Sequence, residues 1–435
     1  MIMDWEGHAI LGLRAAQGLP QWEIDMLKPD MSAKEIGKVY MPPVTCVREK
    51  LGAYCLILDW VYQSEYASYA RQRDGSWIPH HPVYGANGGV SEQGNNSFIT
   101  ALLEVMISDL RAGEWEEAVR HAGALGHFLQ EPFTPGHSTA NSLFEQFFPD
   151  PDPERHWRLH TCFDSASGDF PPPVPALMGM NAKEAAFRIF NFIKKGIISG
   201  RALIGQVVAA AYRGKTIEEN RHVYKALLCK QSEMASYITA CAWHTAFCIA
   251  FDRFDEKETI AFSRVDLTDV QPYYMHPSKY VHIVPDKLAD EKGRLLPIEV
   301  WGENKEICRF EKGFGLFGHS GYKYFINGNF SRLDFKLGMP ARITKLQNEH
   351  TDLRFSVETD KGENTSSSED IEYKAAARPL EVRLRAGEPV REYSVDIRGA
   401  DTLILSSRSI PYTTEAGEVR YATADLAIID PVLVR

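Results

Sequence analysis

The sequence predicts a multidomain protein in which an all-α domain is followed by an all-β sandwich. Up to about Asp255, apolar residues recur at three- and four-residue spacing, which is typical of amphipathic helices. After Asp255, apolar and polar residues alternate in short runs bounded by Gly, Pro, Asn or Asp, as in antiparallel strands. The length of 435 residues also exceeds what one ordinary hydrophobic core accommodates.

The two patterns set the expected domain limits. The helical period is clearest in Glu116–Leu129, Ala182–Lys195, Gly200–Tyr212 and Glu218–Phe251. The alternating runs are Tyr280–Val284, Arg332–Leu337, Leu353–Glu358, Leu380–Arg385, Tyr393–Ile397 and Thr402–Leu405. We therefore expect a helical domain over residues 1–255, a linker or extension over 256–300 and a β-sandwich over 301–435.

Composition narrows the classes of partner. A net charge of −10 argues against a stable nucleic-acid partner and against broad binding to an anionic membrane. A small phosphate ester stays compatible, because a bound metal would reverse the local field. The cysteines are seven in number and form no CxxC pair, so we expect buried free thiols and no disulfide framework. No run of about 20 apolar residues occurs, so we expect no transmembrane segment.

A short segment near residue 130 holds the strongest indication of a metal site. His127 and Glu131 are one helical turn apart, so both side chains leave the same face of a helix. Two prolines then end that helix, which lets His137 return to its carboxyl end. Imidazole nitrogens and a carboxylate at this spacing are good ligands for zinc.

Other His and acidic residues extend the pattern. His160 and Asp164 repeat the i, i+4 spacing, and His156 competes with His160 from one turn earlier. The remaining candidates are His8, which follows Trp5, Asp59 in an apolar run, and the adjacent His80 and His81. A helix cap or a salt bridge would also account for a buried Asp, and each residue alone is more often structural. Two His–carboxylate pairs with a further His between them nevertheless predict a metal site.

These motifs resemble the superfamily of zinc-dependent phospholipases C and single-strand nucleases, over roughly residues 5–250. The gap between His137 and His160 resembles the nuclease branch more closely. The resemblance implies three zinc sites. The first comprises Asp59, His80 or His81, His127 and Glu131; the second comprises His137, His160 and Asp164; the third comprises His8, the bridging Glu131 and the backbone of Trp5.

This chain departs from the family in two ways. The bridging acid is usually Asp in the family, and here Glu131 is one methylene longer. The Trp is usually the mature N-terminus, whereas four residues precede Trp5 here, so the third site is altered or empty unless they are removed. We therefore expect two or three Zn²⁺ ions. The implied reaction is attack of a zinc-activated water on phosphorus, with Glu131 and Asp59 as catalytic residues and Asp59 as a proton acceptor.

The C-terminal half resembles the NPCBM family of carbohydrate-binding modules, which are β-sandwiches appended to secreted hydrolases. The resemblance rests on the order of five segments: Gly313–Ser320, Gly328–Phe335, Arg354–Gly362, Val395–Leu405 and Ile429–Leu433. It implies a glycan partner without assigning the binding residues. Tyr322, Tyr324 and Phe325 fit either sugar stacking or the core.

Three functions follow from these patterns. The first is a zinc-dependent phosphoesterase that hydrolyses a phosphodiester, phospholipid or nucleotide, near a glycan, in a secreted or cell-envelope setting. The start of the chain lacks the basic and apolar regions of a signal peptide, so the chain is either intracellular or given without a leader. The second is a glycan-binding protein whose helical domain holds zinc structurally. The third is a metal hydrolase of a non-phosphate ester.

Overall fold

The computed structural model describes most of the chain in two compact units, Met1–Thr259 and Ile260–Arg435, which we treat separately. The described residues are 6–28, 44–61, 66–71, 75–85, 90–140, 147–148, 162–163, 165–214, 217–254, 262–272, 274–276, 284–289, 294–341, 348–360, 377–422 and 425–435. Helices occupy the first unit and strands the second, so the predicted fold class is confirmed.

The described part of the first unit contains eight α-helices. They are α1 (Glu6–Gly18), α2 (Gln21–Met26), α3 (Val47–Tyr54), α4 (Glu92–Ala112), α5 (Trp115–Gln130), α6 (Ala182–Arg201), α7 (Ile204–Arg213) and α8 (Ile217–Phe251). Side-chain caps begin two of them, because the Ser91 hydroxyl accepts from the Gly94 amide and the Asn181 side chain accepts from the Glu184 amide. Their apolar faces share one large core.

Two glycines allow α5 to approach its neighbours closely. A Cβ on Gly123 would lie 2.4 Å from the carbonyl carbon and oxygen of Tyr54. A Cβ on Gly126 would lie 2.9 Å from Cys55 Sγ and 2.9 Å from the Trp243 ring. Only glycine fits at such distances, so these positions bring the carboxyl-terminal half of α5 against the end of α3 and against α8.

The long helix α8 is both apolar and buried. The most apolar 18-residue window of its segment Glu219–Phe251 has a mean hydropathy of 1.3, so the helix is long and apolar enough to cross a membrane by length and composition alone. However, 72% of its most apolar window is buried inside the protein, as expected for the core helix of a packed domain. From the sequence we expect no transmembrane segment, because no unbroken run of about 20 apolar residues occurs. When hydropathy is averaged over a window, however, α8 is the one described helix that is long and apolar enough to span a membrane.

The second unit is built from short antiparallel strands. In chain order they are β1 (Arg264–Asp266), β2 (Tyr274–His276), β3 (Leu288–Ala289), β4 (Leu295–Leu296), β5 (Ile298–Trp301), β6 (Ile307–Phe310), β7 (Gly313–Phe317), β8 (Ser320–Phe325), β9 (Arg332–Gly338), β10 (Asp352–Thr359), β11 (Ala377–Arg385), β12 (Arg391–Asp396), β13 (Thr402–Ser409), β14 (Pro411–Thr413), β15 (Val419–Tyr421) and β16 (Asp425–Val434).

Two five-stranded sheets form the sandwich. One has the order β1-β16-β9-β12, with β7 also paired to β16, and the other has the order β11-β10-β13-β8-β2. The ring of Phe335 on β9 meets the ring of Phe355 on β10 edge to face, with centroids 5.7 Å apart, so the two sheets pack on each other. Tyr322, Tyr324 and Phe325 on β8 are buried, which makes them core residues rather than sugar-stacking surfaces.

Residues 256–300, expected to be a linker, contribute strands to this unit. Within their described part, β1 pairs with β16 and β2 pairs with β8. Strands of three residues are too short to produce an alternating pattern, which is why the sequence did not indicate them. Of the predicted strand Tyr280–Val284, all but Val284 lies outside the described residues.

Candidate metal centre

The carboxyl end of α5 places Glu131 at the middle of a histidine cluster. Glu131 still has helical backbone angles, but Pro132 follows it and the chain continues as two 3₁₀ helices, Glu131–Phe133 and Pro135–Ser138. The second of these carries His137 back toward Glu131. Both side chains are almost fully buried, with 5% of Glu131 and 2% of His137 exposed.

Four imidazoles surround the Glu131 carboxylate, two on each oxygen. Oε1 lies 2.9 Å from His8 Nε2 and 3.4 Å from His127 Nε2. Oε2 lies 3.0 Å from His137 Nε2 and 3.1 Å from His81 Nδ1. The carboxylate therefore stands between two pairs of nitrogen donors, in the position of a bridging ligand.

Hydrogen bonds on the far side of two rings orient their other nitrogens. His127 Nδ1 lies 2.8 Å from the Cys55 carbonyl oxygen, so it donates its proton there and leaves the lone pair on Nε2. His8 Nδ1 donates to Gln130 Oε1 at 2.9 Å, which turns its Nε2 toward Glu131. Outward donation of this kind is the usual support of a metal-binding histidine.

The donor atoms fit a metal ion. His127 Nε2 is buried and makes no hydrogen bond within the described part of the chain, although it faces a carboxylate oxygen. Two facing lone pairs repel each other unless a cation or a proton lies between them. Asp59 completes one group with His8 and His127, and His81, Glu131 and His137 form another; within each group the ligand atoms lie within 4.8 Å of one another. Nitrogen and carboxylate donors suit zinc.

The electrostatics of the cluster centre on the charge of Glu131. Burial disfavours the carboxylate, but His137 and hydrogen bonds from the histidines outweigh it and hold the pKa of Glu131 well below its usual range. Burial also disfavours protonated His8, yet Glu131 raises the pKa of His8 to about 9. Burial and then the charge of His81 lower the pKa of His80 to about 4. The carboxylate is therefore stabilised by positive charge, which protonated His8 supplies and which a metal ion would supply in its place.

The structure brings together six of the predicted residues: His8, Asp59, His81, His127, Glu131 and His137. His81 contacts Glu131, whereas the His80 ring stacks on His81 with centroids 3.7 Å apart and lies 6.3 Å from the His127 ring. His8 groups with Asp59 and His127, which the resemblance had assigned to a different zinc. Trp5, His160 and Asp164, as well as the competing His156, lie outside the described residues.

Sequence reasoning missed the residues that hold the histidines in place. Gln130 precedes Glu131 directly, so its hydrogen bond to His8 was within reach of the motif. The Cys55 carbonyl carries no side-chain signal. The Tyr84 hydroxyl donates to the His137 carbonyl oxygen at 3.1 Å, and nothing in the sequence marks that contact.

A small cavity of about 40 Å³ opens beside the cluster. His8 and Gln130 contribute to its wall, which connects the cavity to the metal centre. Its apolar side chains include Leu11, Phe133, Phe163 and Leu228, and its described lining contains no Lys or Arg. The centre therefore borders an open, mainly apolar space.

Comparison with known proteins supports the C-terminal resemblance. The NPCBM/NEW2 domain family matches residues 284–427, so the resemblance of the sandwich to that family is confirmed. A search of curated proteins found no match to this chain.

Solved structures match both parts of the chain. A Clostridium perfringens ZmpB structure, containing an M60 catalytic domain and CBM51 domains, is 16% identical with a TM-score of 0.29; the match covers 40% of this chain and only 15% of that one. A CBM51 from Clostridium perfringens GH95, in complex with methyl-galactose, is 18% identical with a TM-score of 0.29; the match covers 39% of this chain and 99% of that one. Clostridium perfringens alpha-toxin is 10% identical with a TM-score of 0.30, covering 97% of each chain.

Proposed function

We propose that the helical domain is a zinc-dependent hydrolase of phosphoric ester bonds that acts on a phosphodiester, and that the sandwich binds glycan. The observation that carries the proposal is the buried Glu131 carboxylate, which faces four imidazole nitrogens beside an open cavity. Two or three zinc ions would be held there.

Different residues would have different roles in such a site. His8, Asp59 and His127 hold one ion, and His81 and His137 hold another, with Glu131 shared between them. Bound zinc supplies a Lewis acid and acidifies water near neutral pH. Asp59 has 16% of its side chain exposed and lies 3.7 Å from His127 Nδ1, so it can accept a proton from a water at the mouth of the site.

The accessibility of the centre favours catalysis over a structural zinc. Structural zinc sites are closed, whereas catalytic sites keep one coordination position open. The His81 side chain is 34% exposed and His8 contributes to the cavity wall, so solvent and a small substrate reach both histidine groups. This argues against the alternative in which the helical domain merely supports a glycan-binding protein.

The cavity lining favours a phospholipid over a nucleotide. A single-strand nuclease needs basic residues for the phosphate backbone together with aromatic rings that stack on bases. The described lining contains the aromatic rings of Phe133 and Phe163, but it is otherwise formed by apolar and small polar groups and has no Lys or Arg to contact a phosphate backbone. An apolar part of the substrate beside the scissile ester fits such a wall better.

Hydrolysis of bis-p-nitrophenyl phosphate tests the reaction class. The purified chain should hydrolyse it, lose the activity in chelator and regain it when zinc is restored. Zinc-restored protein that stays inactive on this ester but cleaves p-nitrophenyl acetate would shift the assignment to a non-phosphate ester. Phosphatidylcholine vesicles and single-stranded DNA, assayed in parallel, distinguish the two substrate classes, and faster cleavage of the DNA would overturn the phospholipid preference.

We also assign the sandwich a glycan partner and the protein a secreted or cell-envelope setting. The support is the NPCBM/NEW2 match over 284–427, together with CBM51 structures described in complex with GlcNAc and with methyl-galactose. Both sugars are therefore the first glycans to test. The glycan would hold the hydrolase near its substrate.

A further inference from the structure

A second group of metal-ligand side chains lies between α2 and α8. It consists of Glu23 on α2 and of His244 and Cys248 on α8. His244 and Cys248 are one helical turn apart, so they project from the same face of α8. None of the three belongs to the cluster around Glu131.

The three side chains are in close contact. His244 Nδ1 lies 2.5 Å from Glu23 Oε1 and 3.8 Å from Cys248 Sγ. A carboxylate oxygen, a ring nitrogen and the sulfur all fall within 4.8 Å of one another. Both Glu23 and Cys248 are buried, with 0% and 4% of their surfaces exposed.

One atom of this group has no explained partner. Glu23 Oε2 is buried and makes no hydrogen bond among the described residues, although the other oxygen of the same carboxylate bonds to His244. A buried carboxylate oxygen without a partner is costly, because it has lost its water and gained nothing in return. A cation between Glu23, His244 and Cys248 would remove that cost.

We propose that Glu23, His244 and Cys248 form a second zinc site, separate from the centre at Glu131. Thiolate, imidazole and carboxylate together are a donor set that zinc prefers. The two negative ligands balance the ion's charge, so a buried site stays neutral. The His244 side chain is 16% exposed, which leaves a path for water as the fourth ligand.

The spacing between His244 and Cys248 is close to that of a tetrahedral site. Zinc–nitrogen and zinc–sulfur bonds place their two ligand atoms about 3.5 Å apart, near the 3.8 Å between His244 Nδ1 and Cys248 Sγ. The 2.5 Å contact between Glu23 and His244 lengthens when zinc replaces the proton shared there. Binding releases that proton and the Cys248 thiol proton to solvent. The ion joins α2 to α8.

The competing description is a buried ion pair between Glu23 and His244 that binds no metal. It explains the 2.5 Å contact but leaves Glu23 Oε2 unpartnered and gives Cys248 no role. A probe for a metal–thiolate bond separates the two descriptions, since the described candidate ligands around Glu131 include no cysteine.

Cobalt titration of the chelator-stripped full chain supplies that probe. Cobalt bound to a thiolate gives a near-ultraviolet charge-transfer band, which nitrogen and oxygen ligands alone do not give. We expect the band in the wild-type chain, its loss in Cys248→Ala and at least a tenfold weaker cobalt affinity in Glu23→Gln. The matched control is Cys241→Ala, which removes another buried thiol of α8 that accepts a bond from the Ala176 amide.

The result is independent of the phosphoesterase centre. Glu131→Gln should keep the band, so failure of the proposed hydrolase leaves this test intact. X-ray absorption at the cobalt edge of the wild-type chain needs no variant, and it should show a sulfur shell at about 2.3 Å. Saturating cobalt without a band or a sulfur shell, or a band lost equally in Cys241→Ala, would overturn the second site.

Discussion

The two units bury their carboxylates in opposite ways. In the sandwich, buried Glu358 accepts from the Arg378 guanidinium at 3.0 Å and from the Ser356 hydroxyl at 2.9 Å. In the helical unit, the ion-pair contacts that the described residues make with buried Glu131 all come from imidazoles. Arg carries a permanent charge, whereas an imidazole can lose its proton, so Glu358 keeps its counter-charge while Glu131 can exchange the proton of His8 for a metal ion.

This difference separates structural burial from functional burial. Glu92 shows that the helical unit can also neutralise a buried acid, because its carboxylate lies 2.7 Å from Lys194 Nζ. A site in which titratable imidazoles surround a carboxylate can instead release their protons to an added cation. The proposed chemistry of the helical unit therefore rests on buried side chains that titrate, and not on a permanently paired acid.

The largest effect on hydrolysis is expected from substitution of Glu131. Glu131→Gln preserves the shape of the side chain but removes the shared negative ligand, so the zinc content of the centre should fall. Loss of metal-assisted charge stabilisation worth several kcal/mol lowers phosphodiester hydrolysis by about a thousandfold. Steady-state hydrolysis of bis-p-nitrophenyl phosphate, with elemental analysis of the same samples, measures both changes.

Glu184→Gln is the matched control for that variant. Glu184 is an equally buried acid of the helical unit, but it pairs with Arg188 at 3.3 Å and accepts from the Met180 amide. Its loss should lower stability by about 1–3 kcal/mol and leave the hydrolysis of folded protein unchanged. Equal losses of activity in the two variants would mean that buried charge, not metal binding, explains the effect.

Prediction from the sequence succeeded where spacing alone encodes the geometry. The i, i+4 pair His127 and Glu131 meets at 3.4 Å because one helix turn determines their separation. Likewise, β9 and β10 appear where alternation predicted them.

The rest of the site depends on tertiary contacts that leave no local pattern. The choice of His81 over His80 depends on a non-helical segment, and the Cys55 carbonyl reaches His127 only because Gly123 lets α5 come close. The grouping of His8 with Asp59 and His127 also arises from packing between distant segments. None of these contacts has a period that could be recognised in the sequence.

A smaller effect, on the free energy of unfolding, is expected at Gly123, where α5 closely approaches the end of α3. Gly123→Ala places a Cβ 2.4 Å from the Tyr54 carbonyl, so α5 must move and the free energy of unfolding should fall by about 3 kcal/mol. Gly205→Ala, on α7 with open space around it, should instead stabilise the fold by about 0.5 kcal/mol. Urea unfolding measures both, and the same sign for both substitutions would contradict the packing argument.

The smallest effect concerns the surface of the sandwich. Tyr421 is 56% exposed and is the one aromatic among the exposed large hydrophobic residues described in this unit. If it stacks on sugar, Tyr421→Ala should weaken binding of galactose or N-acetylglucosamine by about three- to tenfold, without changing hydrolysis. Calorimetric titration measures the change, with exposed Val419→Ala on the same strand as the control. Identical affinities in both variants would place the glycan elsewhere on the sandwich.

The central claim is that Glu131 bridges zinc ions held by two groups of histidines. Anomalous diffraction at the zinc edge, from crystals grown with zinc, tests it without reference to any substrate. The account predicts one peak among His8, Asp59 and His127 and another among His81, Glu131 and His137, each about 2.0–2.2 Å from its ligand atoms. A zinc-saturated crystal with no anomalous peak beside the Glu131 carboxylate would contradict it.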